Sequence, residues 1–325
     1  MDDLRTNQQR AGGDPRPSVP PLGFRDRLEL ATAAVPWGVK LTVAYVLIGI
    51  VLLGAFAFAD FDTPWMREHA VNIIRRGLPL TLLVCVSAIV LATVLATLGA
   101  LARLSRNPLA YAIAAFYTSF FRGTPLLVQI FLIYLAVPEI AFRLQDAGYP
   151  WLTEILVLSE ISAGILALGL NYGAYMTEIF RAGIESVGHG QREAADALGM
   201  SYRQKMRRIV LPQAVRVIIP PTGNEFIAML KDSALVSTIG VLELFRLAEL
   251  SGRRDFRTLE AFVLAAIVYW ILTAIFSFFQ RRLERRISRG YVREYAGRRE
   301  RPRGAPPGQP GITPAVSARG GPEPE

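Results

Sequence analysis

Residues 78–102 read LPLTLLVCVSAIVLATVLATLGALA, a run without a single charged side chain. About 20 such residues in an α-helix cross the hydrocarbon core of a bilayer. The run ends at Arg103 and Arg106, and the Asn107-Pro108 pair that follows is typical of a turn at a membrane surface. The sequence therefore predicts a transmembrane helix here.

Five further apolar runs predict five further spans, near residues 41–59, 124–137, 161–179, 215–236 and 262–279. The stretch before the third span is expected to be a surface-lying or kinked entry, because Arg-Gly-Thr-Pro at 122–125 interrupts its apolar run. Hydrophobic residues make up 52% of the 325 residues and charged residues only 19%. The expected fold class is all-α, a polytopic transmembrane helix bundle of about six spans.

Six spans place both chain ends on one side of the membrane, and that side carries most of the Lys and Arg residues. Its segments hold 26 of them, against 8 in the segments on the other side. Cytoplasmic flanks carry this excess in membrane proteins. We therefore expect both termini in the cytoplasm, at a membrane that the chain crosses several times.

The composition divides the chain into four regions. Residues 1–34 are expected to be a disordered cytoplasmic leader, and 35–76 an extra N-terminal span with an external loop. Residues 77–287 form the transmembrane core. Residues 288–325, rich in Arg, Gly, Pro and Glu, are expected to be a disordered basic tail.

The predicted inside loop 190–212 consists largely of strong helix formers. Residues 191–198 predict a short helix that ends at Gly199, since glycine best tolerates the left-handed conformation that closes a helix. A Ser-x-x-Gln capping box then begins a second helix at Ser201, which Pro212 is expected to stop. Such a helical hairpin on the cytoplasmic face could dock on a partner, or it could rest on lipid headgroups as basic helices do.

Within this loop, the pattern Glu-Ala-Ala, three residues, Gly, nine residues, Ile, one residue, Leu-Pro is present without a gap. It comprises Glu193, Ala194, Ala195, Gly199, Ile209, Leu211 and Pro212. The pattern resembles the signature loop of ABC-transporter permeases. Segments elsewhere in 77–287, such as FFRGTPLLVQ at 120–129 and EIFRAGI at 178–184, are similar to the polar amino-acid subfamily of bacterial importer permeases, the histidine, glutamine and arginine type.

The resemblance implies a permease subunit of the bacterial cytoplasmic membrane that translocates a polar or basic amino acid. Separate cytoplasmic ABC ATPase subunits would power it. ATP and Mg would bind those subunits, and this chain would bind no cofactor. An extracytoplasmic solute-binding protein would deliver the amino acid, and a second permease, either a copy or a sister chain, would complete the pore. By the same resemblance, the hairpin is the coupling element seated in a cleft of the ATPase.

The chain departs from the family pattern at two points. The span at 41–59 is additional, and Lys231-Asp232-Ser233-Ala234 stands where the family more often has Thr and Ser after the Asp.

Ionisable side chains at membrane depth usually face a cavity or a partner. This makes Glu178, Glu225 and Asp232 candidates for the substrate pathway. Asn224 joins them because it lies beside Glu225, after a helix break expected at Pro220-Pro221 that would expose polar groups to a cavity.

Each candidate has a structural alternative. Glu178 could pair with Arg181 one turn further on, and Lys231 could neutralise Asp232. Arg122 could meet a substrate carboxylate or extend to lipid headgroups.

Sequence motifs of catalysis are absent. No Gly-rich phosphate loop precedes a Lys-Ser/Thr pair, and no His-Glu-x-x-His helix or Cys cluster is present, so neither an enzyme nor a metal site is expected. The net charge of +9 reflects the membrane flanks, which disfavours nucleic-acid binding and favours contacts with lipid. An ion-coupled secondary transporter and a membrane scaffold remain alternatives, but the first leaves the hairpin unexplained and the second leaves the membrane-depth carboxylates unexplained.

Overall fold

The structure is a computed structural model that describes residue 23 and residues 35–287. The predicted leader, apart from Gly23, and the predicted tail lie outside the described residues. Within those residues, all regular secondary structure is helical. The expected all-α fold is confirmed.

The helices follow one another with short connections. In chain order they are α1 (Trp37–Phe58), α2 (Thr63–Arg103), α3 (Pro108–Gly123), α4 (Leu126–Asp146), α5 (Trp151–Leu156), α6 (Glu160–Glu185), α7 (His189–Ala197), α8 (Tyr202–Lys205), α9 (Leu211–Asp232), α10 (Leu244–Arg254) and α11 (Thr258–Ile287). A π turn, Met206–Val210, joins α8 to α9, and a 3-10 segment, Ser233–Ile239, follows α9. Helix α1 belongs to a unit of its own, and a second unit begins at Thr63.

Four helices of the described residues, α1, α2, α4 and α11, are long and apolar enough to cross a membrane. Helices α6 and α9 coincide with the fourth and fifth predicted spans. They have 26 and 22 residues, long enough at about 1.5 Å per residue to span about 30 Å. Neither is among the four most apolar long helices, and the total of six spans stays a prediction.

Small residues bring α2 and α6 together. Ala88, Ala92 and Ala96 follow one another at four-residue spacing along α2 and are completely buried. A Cβ atom added at Gly169 of α6 would lie 2.6 Å from Cδ2 and 3.1 Å from Cβ of Leu91 on α2, so the glycine allows the two helices to approach closely without displacing Leu91. Close backbone packing through small residues is how transmembrane helices commonly associate.

The loop form expected for the external segment is wrong from Thr63 onward, because α2 begins there, whereas its external position stays a prediction. Pro64 lies in the first turn, where its missing N–H breaks no helical hydrogen bond. Trp65, Met66 and Ile73 are buried, so packing holds this polar stretch in helical form.

Both expected proline breaks are wrong. Pro212 lies in the first turn of α9, directly after the 206–210 π turn, and the chain stays helical through both segments. Pro220 and Pro221 lie inside α9 without interrupting it. Gln280 of α11 donates a 2.9 Å hydrogen bond to the Pro220 carbonyl, which ties α11 to this part of α9.

The expected interruption at 122–125 is confirmed. Helix α3 ends at Gly123, Thr124 is extended with φ −117° and ψ 149°, and α4 starts at Leu126. The entry before this span is thus a separate helix. The span itself continues to Asp146, beyond its predicted end.

Candidate functional site

The turn between α7 and α8 has the geometry that its glycine predicts. Gly199 adopts a φ of +70°. Its N–H donates to the Asp196 carbonyl at 2.9 Å, and the N–H of Met200 donates to the Ala195 carbonyl at 3.1 Å. These two bonds define a Schellman motif, in which the residue after the helix is left-handed.

The second arm of the hairpin is tied to the first. Ser201 and Gln204 form the predicted capping box, with 2.9 Å from the Ser201 N–H to the Gln204 side chain. The Lys205 ammonium lies 2.6 and 2.7 Å from the two carboxylate oxygens of Asp196 on the first arm. The turn, the cap and this ion pair together fix the angle between the arms.

An apolar cluster anchors the hairpin to the membrane helices. Val210 and Ala214 at its base pack with Ile184 and Val187 at the end of α6. The Arg192 guanidinium of the first arm also donates to the Ile184 carbonyl. The hairpin is therefore connected to both α6 and α9.

The residues of the signature pattern divide by exposure. Five are exposed to solvent, namely Glu193, Ala194, Gly199, Leu211 and Pro212. Ala195 is buried and Ile209 half-buried, so these two pack inside the hairpin. Sequence reasoning missed two large exposed side chains beside the glycine turn, Leu198 (80% exposed) and Tyr202 (70% exposed). Their position next to the left-handed turn at Gly199 is the sequence feature from which their exposure could have been predicted.

A second feature is a pocket of about 310 Å³ where the α3–α4 break faces α6 and α9. Its lining residues are Thr124, Pro125, Leu126, Asn171, Tyr172, Tyr175, Glu225 and Asp232. Glu225 and Asp232 lie seven residues apart, two turns along the same face of α9. The Tyr172 hydroxyl donates a 2.8 Å hydrogen bond to Asp232, which fixes that carboxylate at the pocket wall.

Buried amides hold the broken α3–α4 connection in place. The Gln129 side-chain amide donates to the Phe121 carbonyl at 2.9 Å and to the Thr124 hydroxyl at 2.7 Å. The Asn171 amide of α6 donates to the Gln129 side-chain oxygen at 3.0 Å. This network supplies partners for the polar groups at the helix break, as a buried interruption requires.

The structure brings together two of the four predicted pathway residues, Glu225 and Asp232. Asn224 is exposed and does not line the pocket. Glu178 also lies away from it, with carboxylate oxygens 2.8 Å from the Arg181 guanidinium and 3.4 Å from that of Arg103. The pathway roles of Asn224 and Glu178 stay predictions.

Other pocket residues come from separate parts of the chain. Tyr172 and Tyr175 belong to α6, and the Arg122 guanidinium lies 5.3 Å from the centre of the Tyr175 ring. No local sequence signal pairs these aromatic residues with carboxylates some fifty residues away, so sequence reasoning missed both.

A larger cavity of about 830 Å³ lies between α2, α6, α8 and α9. Its walls are mainly apolar, with Arg203 and Arg207 among its lining residues, and no carboxylate lines it. It therefore offers no carboxylate to pair with an ammonium group.

Comparison with known proteins identifies a family of membrane transport proteins. The family described as "Binding-protein-dependent transport system inner membrane component" matches residues 88–289. The probable amino-acid permease protein YxeN of Bacillus subtilis is 39% identical over 210 residues, which cover 65% of this chain and 89% of YxeN. The arginine transport system permease protein ArtQ of the same organism is 35% identical, with 65% and 91% covered.

A solved structure shares the fold. The crystal structure of an amino acid ABC transporter with histidines superposes with a TM-score of 0.59 at 36% identity. The match covers 66% of this chain and 94% of that one. The chain belongs to the binding-protein-dependent transport system inner membrane components, the membrane-spanning permease subunits of ABC transporters.

Proposed function

We propose that this permease translocates a cationic or zwitterionic amino acid, whose ammonium groups bind Glu225 and Asp232. The observation that carries the proposal is that two carboxylates from one face of α9 share one small pocket. Carboxylates at membrane depth are costly unless a cation or a hydrogen-bond donor compensates them. Tyr172 supplies a donor to Asp232, and a substrate cation would compensate the pair further. The volume of about 310 Å³ is at the small end of ligand pockets.

Another part of the pocket lining suits the substrate carboxylate. Leu126, the first residue of α4, lines the pocket, and a helix N-terminus carries a partial positive charge that attracts anions. The Arg122 guanidinium stacks on Tyr175, another lining residue, and adds a full positive charge beside the pocket. A bound amino acid would thus place its carboxylate toward α4 and its ammonium toward α9.

The hairpin is proposed to dock on a cytoplasmic ABC ATPase through its exposed tip, with both chain termini on that side of the membrane. The resemblance to ABC permeases and the basic-residue count support this orientation. A second permease and an extracytoplasmic solute-binding protein complete the proposed assembly. Since α6 and α9 both contact the hairpin base and both line the pocket, movement of the hairpin would move two pocket walls together.

The docking proposal is tested by purifying the detergent-solubilised chain from its own cells as wild type, Glu193→Arg and Glu154→Arg. Glu193 and Glu154 are both exposed, but Glu154 lies on α5, on the predicted outer side. We expect an ABC ATPase with wild type and Glu154→Arg, and its loss with Glu193→Arg. Absence of any ATPase from the wild-type preparation would refute the assembly.

The substrate proposal is tested with Glu225→Gln and Asp232→Asn in proteoliposomes, with Glu154→Gln as the matched control outside the pocket. Uptake of arginine and glutamine is measured alongside ATPase binding. We expect both pocket variants to reduce arginine uptake more than glutamine uptake while retaining the ATPase. Unchanged uptake of every amino acid in both variants would remove the two carboxylates from the site.

A further inference from the structure

The connection between α10 and α11 has an unusual residue at its tip. Phe256 is 94% exposed and adopts a φ of +58°. The N–H of Arg257 donates to the Gly252 carbonyl at 2.7 Å, so Phe256 occupies the left-handed position that closes a helix and normally favours glycine. A bulky residue with positive φ is a conformational outlier, and such strain is concentrated at functional sites. The chain thus has an aromatic ring at a position that its conformational preference and its hydrophobicity both disfavour.

The tip is held in a fixed position by α2. Asp255, the residue before Phe256, accepts a 2.8 Å hydrogen bond from the indole N–H of Trp65 and lies 3.1 Å from Nε2 of His69. The Trp65 and His69 rings stack with their centres 4.4 Å apart. Phe256 therefore projects from an anchored turn.

At the tip, the positively charged side chains are more exposed than the negatively charged ones. The Arg253 and Arg254 side chains are 67% and 84% exposed. Their partner carboxylates lie deeper: Glu249, 2.6 Å from Arg253, is 11% exposed, and Asp255, 3.3 Å from Arg254, is 25% exposed. The surface that a partner meets is an exposed aromatic ring surrounded by arginines, although the connection as a whole contains acids and bases.

The position of these arginines also requires a reason. In the predicted orientation, four of the eight basic residues on the outer side lie in 246–257. Basic residues are depleted from short outer loops. Four within one such loop indicate a role that outweighs this tendency.

We propose that the docking tip, residues 253–257, binds the extracytoplasmic solute-binding protein, through carboxylates of that protein that surround an apolar hollow for Phe256. This inference rests on the proposed function, which supplies the partner and the orientation. Charge complementarity selects an acidic partner and steers its approach, while a buried aromatic residue supplies the anchor.

The test uses the purified complex of permease and ATPase in nanodiscs of zwitterionic phosphatidylcholine, so that anionic headgroups cannot serve as the target. The probe is the arginine-loaded binding protein from the same cells. Its stimulation of ATP hydrolysis is measured relative to hydrolysis without it. In Arg253→Glu/Arg254→Glu, we expect half-maximal stimulation to need at least tenfold more binding protein, with a weaker dependence on salt.

Arg67→Glu/Arg143→Glu is the matched control, because it makes the same charge change at exposed positions of two other predicted outer segments. An equal loss in this control would overturn the docking tip, since it would show a general field effect. Wild-type stimulation in Arg253→Glu/Arg254→Glu would also refute binding at the docking tip, but it would leave the proposed function intact. Absence of stimulation in the wild-type complex would overturn the proposed partner and the tip together.

Phe256→Gly separates docking from folding. Glycine relieves the positive φ, so the melting temperature of the variant should be equal to or higher than that of wild type. Stimulation by the binding protein should nevertheless need several-fold more of it. A variant that is stimulated as wild type would show that the ring does not anchor the partner.

Discussion

Substitution of Gly199 by valine should uncouple ATP hydrolysis from transport. A Cβ at this position would meet no atom within 4 Å, so the substitution causes no steric clash within the chain. The cost is purely conformational: a side chain at φ +70° costs about 1–2 kcal/mol, and valine is among the least tolerant residues because of its branched Cβ. That cost would lower the ratio of correctly angled hairpins to all other hairpin conformations by roughly 5- to 30-fold.

The assay is ATP hydrolysed per amino acid taken up by proteoliposomes that contain the permease, the ATPase and the binding protein. We expect this ratio to rise about tenfold in Gly199→Val, as uptake falls while the ATPase stays able to hydrolyse ATP. Gly199→Asn is the first control, because asparagine tolerates the left-handed conformation and is of similar size to valine. It should retain most of the coupled uptake.

Gly190→Val is the second control. Gly190 lies in α7 of the same hairpin, also has no atom within 4 Å of an added Cβ, and does not have a positive φ. It should retain near-normal coupling. Normal coupling in Gly199→Val would refute the conformational argument, as would an equal loss in Gly199→Asn, which would indicate a collision with the ATPase instead.

Gly77→Ala should lower the melting temperature, because its Cβ would lie 2.6 Å from the backbone Cα of Leu244, an overpacking that costs about 1–3 kcal/mol. Gln129→Leu should destabilise the α3–α4 break by about 1–3 kcal/mol for each buried group left without its partner, measured by thermal unfolding in detergent. The hydrogen bond from Trp65 lowers the pKa of Asp255 below its ordinary value. The stabilisation from this contact is therefore present at neutral pH and lost as the pH falls through that lowered pKa, which Trp65 fluorescence should report.

Three comparisons test these predictions. Gly54→Ala, in α1 with no atom within 4 Å of the added Cβ, should leave the melting temperature nearly unchanged. Gln129→Glu should also be less stable than wild type, since a carboxylate cannot donate a hydrogen bond to the Phe121 carbonyl. Asp255→Asn should remove the acid-dependent change in Trp65 fluorescence, and a change that persists in this variant would assign the titration to another group.

Short sequence patterns predicted the structural features that depend on interactions between residues close in sequence. Apolar runs gave the positions of the long helices, and the Ser201 capping box and the Gly199 turn were predicted because their hydrogen bonds span only a few residues. The helical form of 63–77 was not predictable in this way. Its polar surface resembles a loop, and the burial of Trp65 and Ile73 depends on distant helices.

The prolines show the same division. Proline removes one donor wherever it lies, but whether the helix breaks depends on its surroundings. A π turn precedes Pro212, and Gln280 from another helix contacts the Pro220 carbonyl. The pocket likewise joins Tyr172 to Asp232, sixty residues apart, through a contact that no local pattern encodes.

The unbroken α9 has a mechanical consequence. From its first residue, Leu211, to Glu225 is about 21 Å of helix at about 1.5 Å per residue, and Pro220 and Pro221 do not interrupt it. A break there would let the hairpin move without moving the pocket. The π turn 206–210 lies on the hairpin side of this rigid segment, and π turns are frequent at functional sites. We infer that bending is concentrated at this turn, whereas α9 transmits the remaining displacement to Glu225 as a rigid body.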